Sequence, residues 1–280
     1  MKAPRNLRWT RGAAPRRLHQ SWLYAGVASV GREDTSRPTD YLVTSLPILL
    51  VLNHSWRQKE AIMSIKSVSL DRWKMAQKWE LDVWKKCQEI GDDWNIWWAS
   101  HFDKYSFLDK NIGKAIELGC GPFTNLRLIL PNRIWDRLVC SDPLAGEYIK
   151  LTPTWLAQAF KTVVEIDTNP IEKCVFEPNS FDLIVMINVL DHVQDADVCL
   201  KNAIRICNPN GWFILGQDLT SEDDMRKYPD DVGHPIRLLF EDIEPYLCGF
   251  RYQILKVLKR SEGRNPDAHY GTLIFAGRKI

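Results

Sequence analysis

From Lys114 to the C-terminus, short apolar runs alternate with segments whose apolar residues recur every three or four positions, the pattern of strands and helices taking turns. Apolar runs at Ala115–Leu118, Leu138–Ser141, Thr162–Asp167, Phe181–Asn188, Trp212–Gln217, Tyr252–Leu258 and Thr272–Ala276 predict seven strands. Helical spacing predicts helices at Thr124–Leu130, Pro153–Phe160, Ala196–Cys207 and Phe240–Leu247. Such alternation builds a Rossmann-like α/β sheet, mostly parallel, with helices on both faces. The last two strands follow one helix with only a loop between them, which predicts an antiparallel C-terminal hairpin at a sheet edge. Upstream, Ser69 to His101 holds no proline and only Gly91 as a break, with Leu70, Trp73, Leu81 and Trp84 at helical spacings. Residues 63–110 are therefore expected to form an N-terminal helical cap, and residues 111–280 the main domain.

The cap is rich in tryptophan: six of the chain's twelve lie between Trp73 and Trp98. Docking of the cap onto the sheet accounts for such rings. So does a pocket in which some of them, with Tyr105, offer flat faces to a sugar or another ring-bearing ligand. Residues 1–62 show neither period, and hold ten Lys/Arg against four Asp/Glu with no acid before Glu33. They read as a disordered extension resembling a transit peptide, or as translation from a start codon chosen too early. The second reading is preferred, because Lys59-Glu60 can be encoded by a ribosome-binding sequence at the right spacing before Met63.

The rest of the chain holds 27 Lys/Arg against 31 Asp/Glu, a mildly acidic balance that argues against a nucleic-acid partner. Seven cysteines form no CxxC pair, which argues against a zinc site and a disulfide framework, so no metal is expected and a reducing cytoplasm is. The longest apolar run, Tyr41 to Leu52, is too short for a membrane span.

The chemistry begins where the first strand runs into Glu117-Leu118-Gly119-Cys120-Gly121-Pro122. Two glycines between a strand and a helix let a ligand approach bare backbone, and amides there can receive an anionic group. Thr124 stands where a dinucleotide fingerprint has its third glycine, which disfavours a nicotinamide-dependent oxidoreductase without removing it. Asp142 closes the second strand at the distance where a second βα unit presents a carboxylate to ribose hydroxyls. A turn or helix-capping role would also suit it.

Residues 112–280 resemble a class I S-adenosylmethionine (SAM)-dependent methyltransferase, from Ile116-Glu117-Leu118-Gly119-Cys120-Gly121-Pro122 through Asn179-Ser180-Phe181-Asp182-Leu183 and Asn188-Val189-Leu190-Asp191-His192-Val193 to Asn208-Pro209-Asn210-Gly211-Trp212. The resemblance implies SAM as cofactor, with Gly119, Cys120 and Gly121 beside its methionine and ribose parts, Glu117 ordering that loop, and Asp142 holding the ribose. For the adenine it implies Ile171 and Glu172 when counted back from Phe176, and Asp167 when counted from the strand; the first pair is preferred. After the fourth strand it implies Asn188 facing the methionine end or the acceptor, and Asp191 and His192 facing the reacting methyl. His192 suits a general base; an ordering role for Asp191 and His192 is the alternative. Gly233-His234-Pro235-Ile236-Arg237 resembles the His-Pro-x-Arg element of small-molecule and glycan methyltransferases, which makes His234 a second candidate base or acceptor ligand.

The expected function is methyl transfer from SAM to a hydroxyl, less readily an amine, of a small polar acceptor, with a sugar or glycan precursor leading. A nicotinamide-dependent oxidoreductase and a catalytically silent SAM-fold partner subunit are the rivals. Oligomeric state is not legible in the sequence.

Overall fold

A strand covered on both faces has no use for alternating polarity, and the central strands here are near-continuous apolar runs for that reason. In the computed structural model, which describes residues 64–87, 93–151, 164–227, 229–263 and 271–280, seven strands form one sheet. They are β1 (Asn111–Leu118), β2 (Ile134–Ser141), β3 (Glu165–Asp167), β4 (Phe181–Ile187), β5 (Cys207–Leu219), β6 (Phe250–Leu258) and β7 (Gly271–Lys279), in the order β3-β2-β1-β4-β5-β7-β6. β1 pairs in parallel with β2 and β4, β2 with β3, and β4 with β5. β7 runs antiparallel to both β5 and β6, which makes the expected terminal hairpin. The expected mostly parallel α/β sheet is thus the fold, with β7 inserted so that the earlier strand of the hairpin, β6, lies at the edge.

The described helices are α1 (Leu70–Cys87), α2 (Asp93–His101), α3 (Leu126–Ile129), α4 (Ala145–Leu151), α5 (Ala196–Ile206), α6 (Glu222–Lys227) and α7 (Phe240–Leu247). Ile116, Leu118, Ile184, Met186, Phe213 and Leu215 face one core with α5 and α7. Ala115, Leu183, Val185, Ile187 and Ile214 face the other, closed by Trp98 and Phe102 from the cap and by Leu126 and Ile129 of α3. On α5 the buried residues Ala196, Cys199, Leu200, Ala203 and Ile206 form the inward stripe, and Asp195 caps its start by accepting from the Val198 amide at 3.0 Å. No helix among the described residues is long and apolar enough to cross a membrane.

Three boundaries differ from expectation. α3 begins at Leu126 rather than Thr124, because Thr124 and Asn125 turn their side chains to Glu117 instead of continuing a helix. α5 ends at Ile206 and Cys207 already pairs with Phe181, so β5 begins five residues earlier than Trp212. Between β5 and the helix predicted at Phe240–Leu247, where the sequence predicts no helix, lies α6. The expected helix at Pro153–Phe160 and residues 1–62 lie outside the described residues.

β1 leads to β2 and β3 on one side and neighbours β4 and β5 on the other, so the direction of winding reverses between β1 and β4. A crevice opens above the carboxyl ends of strands at such a point. The segment before α1 braces its rim. Ile65 exchanges both backbone hydrogen bonds with Arg237, at 3.0 and 2.8 Å, while the Val68 amide donates to the Gln194 carbonyl and the Ala196 amide to the Lys66 carbonyl, each at 2.9 Å.

Candidate active site

The turn after β1 is shaped by a carboxylate as much as by its glycines. Glu117 is fully buried and accepts from the Thr124 hydroxyl, from the Asn125 amide at 3.1 Å and side chain at 2.8 Å, and from the Leu126 amide at 3.4 Å. Those bonds tie the end of β1 to the first turn of α3. Burial outweighs them and pushes the Glu117 pKa up to about 7. Gly119 and Gly121 take φ of +69° and +54°, a region open to glycine. A Cβ on Gly119 would lie 2.5 Å from Val189, so this glycine lets the loop after β4 pass. A Cβ on Gly121 would meet nothing within 4 Å, so there bare backbone fronts open space. Cys120 between them is buried, with its thiol in contact with Cys140 and its amide donating to the Ser141 carbonyl at 3.1 Å.

Asp142, just past β2, accepts from the Gly121 amide at 3.0 Å and from the Leu144 amide at 2.8 Å. Burial pushes its pKa up to about 6. The two acids considered for adenine part company. Asp167, at the end of β3, is beside Asp142: its carbonyl accepts from the Asp142 amide at 2.9 Å, and its carboxylate from the Ser141 hydroxyl at 2.8 Å and Asn169 at 2.6 Å. Ile171 is buried, while Glu172 turns to the start of α5 and accepts from the Gln194 and Asp195 amides at 2.6 and 3.0 Å.

At the end of β4, Asn188 takes φ of +57° and its amide donates to the Gly216 carbonyl at 2.7 Å. Its side-chain oxygen is buried with no hydrogen-bond partner, as are Asp191 Oδ1 and His192 Nδ1. Buried polar atoms are usually paired, so three at one strand end leave a cluster of unmet hydrogen-bonding capacity there. Gln217 of β5 orders this turn by accepting from the Val189 and Leu190 amides at 3.2 and 2.8 Å. His192 Nε2 lies 3.8 Å from Asp191 Oδ1, and its Nδ1 lies 3.7 Å from Glu80 Oε2 of α1.

α1 holds both the turn that carries His192 and the turn before His234. Trp73 and Gln77 donate to the His192 carbonyl at 3.1 and 3.2 Å, and Arg72 donates to the carbonyls of Asp231 and Val232. His234 is thereby brought to His192, with ring centroids 4.8 Å apart, and the Trp79 ring centroid lies 6.0 Å from that of His234 at an interplanar angle of 62°. Its Nδ1 lies 3.0 Å from Asp231 Oδ2, and Asp231 Oδ1 accepts from the Gly233 and His234 amides, each at 3.1 Å. Burial disfavours the charged ring, but the Asp231 hydrogen bond and the Asp191 and Glu80 carboxylates outweigh it, raising the His234 pKa above the ordinary imidazole value. Sequence reasoning missed Glu80, Asp231 and Gln217. Asp231 left a trace in its place three residues before His234; Glu80 left none, because its role depends on how α1 docks.

Residues 98–247 match a family model described as a methyltransferase domain, which is more than half of the chain. The chain belongs to this family. It is a SAM-dependent methyltransferase, and SAM is its cofactor. Solved methyltransferases share the fold. A putative methyltransferase from Bacillus halodurans is 14% identical, covering 65% of this chain and 98% of that one with a TM-score of 0.51. A putative sarcosine dimethylglycine methyltransferase from Galdieria sulphuraria is 14% identical, covering 66% and 84% with a TM-score of 0.52. Among curated proteins, a hybrid PKS-NRPS synthetase of Talaromyces variabilis is 28% identical over 116 residues, which span 40% of this methyltransferase and 3% of the synthetase.

Proposed function

We propose that this methyltransferase transfers the methyl of SAM to a hydroxyl of a small polar acceptor, of the sugar or glycan-precursor class. SAM supplies a methyl group activated on a sulfonium. The chain's own residues fit it: the open space at Gly121, the carboxylate of Asp142 and the orphaned oxygen of Asn188 suit a ligand that carries an amine, a carboxylate and ribose hydroxyls. In this reading Glu117, Gly119 and Cys120 shape the loop that receives the methionine end. Ile171 and Glu172 stand on the adenine side, Glu172 acting through the Gln194 and Asp195 amides it holds.

The observation that carries the hydroxyl acceptor is the meeting of His192, His234 and Asp191 on the same rim as the glycine loop, with two of their buried polar atoms unpartnered. A hydroxyl becomes a competent nucleophile as its proton leaves, and an imidazole pair beside a carboxylate can hold and remove that proton. Alignment of the oxygen with the methyl supplies much of the remaining acceleration. Trp79, edge-on to His234, offers an apolar wall to a sugar ring. The cap of residues 63–110 and the domain of residues 111–280 then divide the work, one closing over the acceptor and the other binding SAM.

A SAM-consumption screen against sugar nucleotides, phenols, quinones and small amines tests the acceptor class. Turnover on sugar nucleotides is expected; turnover confined to amines would overturn the reading. With the acceptor in hand, His192→Gln should lower kcat by about a hundredfold or more while leaving SAM affinity unchanged. A near-normal kcat would leave positioning as the whole of the catalysis.

A further inference from the structure

We propose that Asp191, His192 and His234 form a binding site for one divalent transition-metal ion on the acceptor side of the crevice. The use assigned to the ion rests on the methyl-transfer reading; the existence of the site does not. One donor atom from each of the three side chains lies within 4.8 Å of the other two. An ion with bonds of about 2.0–2.2 Å holds its donors roughly 3–3.5 Å apart, so side-chain rotations of about an ångström complete the coordination.

Carboxylates crowd the two imidazoles, and the buried Arg237 guanidinium lies at one of these carboxylates, its Nη1 4.0 Å from Asp231 Oδ2. Asp191 Oδ1 and His192 Nδ1 are buried without hydrogen-bond partners, and the His192 ring lies between two carboxylates, its Nδ1 3.7 Å from Glu80 Oε2 and its Nε2 3.8 Å from Asp191 Oδ1. A cation held between Asp191 Oδ1 and one nitrogen of each imidazole, which already lie within 4.8 Å of one another, satisfies several acceptors at once, whereas a water brings only two protons.

His234 carries the supporting group expected of a metal ligand. Its Nδ1 faces Asp231 Oδ2 at 3.0 Å, and an Nδ1–H donated to that carboxylate puts the ring's lone pair on Nε2. Asp231 is in turn held by the Gly233 and His234 amides. The main chain of His192 is pinned through its carbonyl by Trp73 and Gln77, so its ring can turn toward the ion while its backbone stays in place.

Two imidazoles and one carboxylate suit Zn²⁺, Mn²⁺, Fe²⁺ or Co²⁺ better than Mg²⁺ or Ca²⁺, which prefer oxygen alone. Three protein ligands leave positions open for an acceptor oxygen, and a hydroxyl bound there loses its proton to water more readily. With the ion in place both imidazoles serve as its ligands and the acceptor's proton passes to water, in place of the direct removal by an imidazole that the metal-free site would perform, so kcat falls in both variants.

The test uses the full chain, stripped with a chelator and titrated with Zn²⁺ and Co²⁺ in the absence of SAM and acceptor. One ion per chain is expected, with a Zn²⁺ Kd in the micromolar range or tighter and a Co²⁺ spectrum free of thiolate charge transfer. His192→Gln and His234→Gln should each weaken Zn²⁺ binding at least about a hundredfold, and Asp231→Asn about ten- to a hundredfold, with SAM affinity retained. Absence of stoichiometric binding, or binding indifferent to both histidine substitutions, overturns the site. Should the variants not fold, the wild-type Co²⁺ spectrum decides: nitrogen and oxygen ligation supports the site, and a thiolate band, as from the exposed Cys248, overturns it. A chain that binds SAM and no metal defeats this proposal alone, while one that binds metal and no SAM defeats the methyl-transfer reading and leaves the site standing.

Discussion

Asp142 answers two opposed demands. The Gly121 and Leu144 amides favour its charge, but burial outweighs them and pushes its pKa from the ordinary 3.8 up to about 6. For folding, the neutral acid is then preferred: its contribution to stability is fully present below about pH 4 and is lost as pH rises through 6. For SAM the sign reverses, because ribose hydroxyls donate best to the carboxylate. SAM affinity should be full above about pH 7 and fall by up to about tenfold per unit below pH 6, as read by calorimetric titration at several pH values. Asp142→Asn should flatten that profile, and Asp142→Ala should weaken SAM binding by about 1–3 kcal/mol at neutral pH with the fold intact. Unchanged affinity would remove Asp142 from the site. The two glycines separate in the same way. Gly119→Ala drives a Cβ into Val189 and should lower the melting temperature and SAM binding together, whereas Gly121→Ala meets open space, costs about 1–2 kcal/mol for its φ, and should weaken SAM more than it lowers stability. Equal effects of the two substitutions on melting temperature would refute this division.

Among the elements, α1 acts as a brace between two loops that are far apart in sequence. Its Trp73 and Gln77 hold the turn at His192, and its Arg72 holds the turn at Asp231 and Val232. The glycine loop depends instead on Glu117 and α3. Arg72→Ala should therefore raise the acceptor's KM several-fold and leave the SAM Kd within about twofold, since it removes two hydrogen bonds from a charged donor at one loop only. Steady-state kinetics beside a SAM titration check it. An equal loss in both constants would mean that the brace reaches the cofactor loop as well.

For the whole molecule, residues 1–62 carry neither a helical nor a strand period in their sequence. A chain beginning at Met63 should keep the melting temperature and SAM affinity of the full chain. One beginning at Leu70 should lose several degrees, because it removes the pairing of Ile65 with Arg237 and the hydrogen bonds to Gln194 and Ala196. Thermal melts of the two shortened chains decide between these outcomes. The strands, their parallel arrangement and the glycine turn after β1 were legible in the sequence because their causes are local: apolar runs set the strands, and Glu117, Gly119 and Gly121 lie within five residues. Where a boundary slipped, as at Thr124, a side chain found a tertiary partner that outweighed helical continuation. The acceptor side was legible only as separate words, Asn-Val-Leu-Asp-His and Gly-His-Pro. Their meeting, the carboxylate of Glu80 beside His192 and the turning of Glu172 toward α5 were decided by tertiary structure alone. Contacts between residues twenty or more positions apart depend on how helices dock across a sheet, and no periodicity within either segment encodes that.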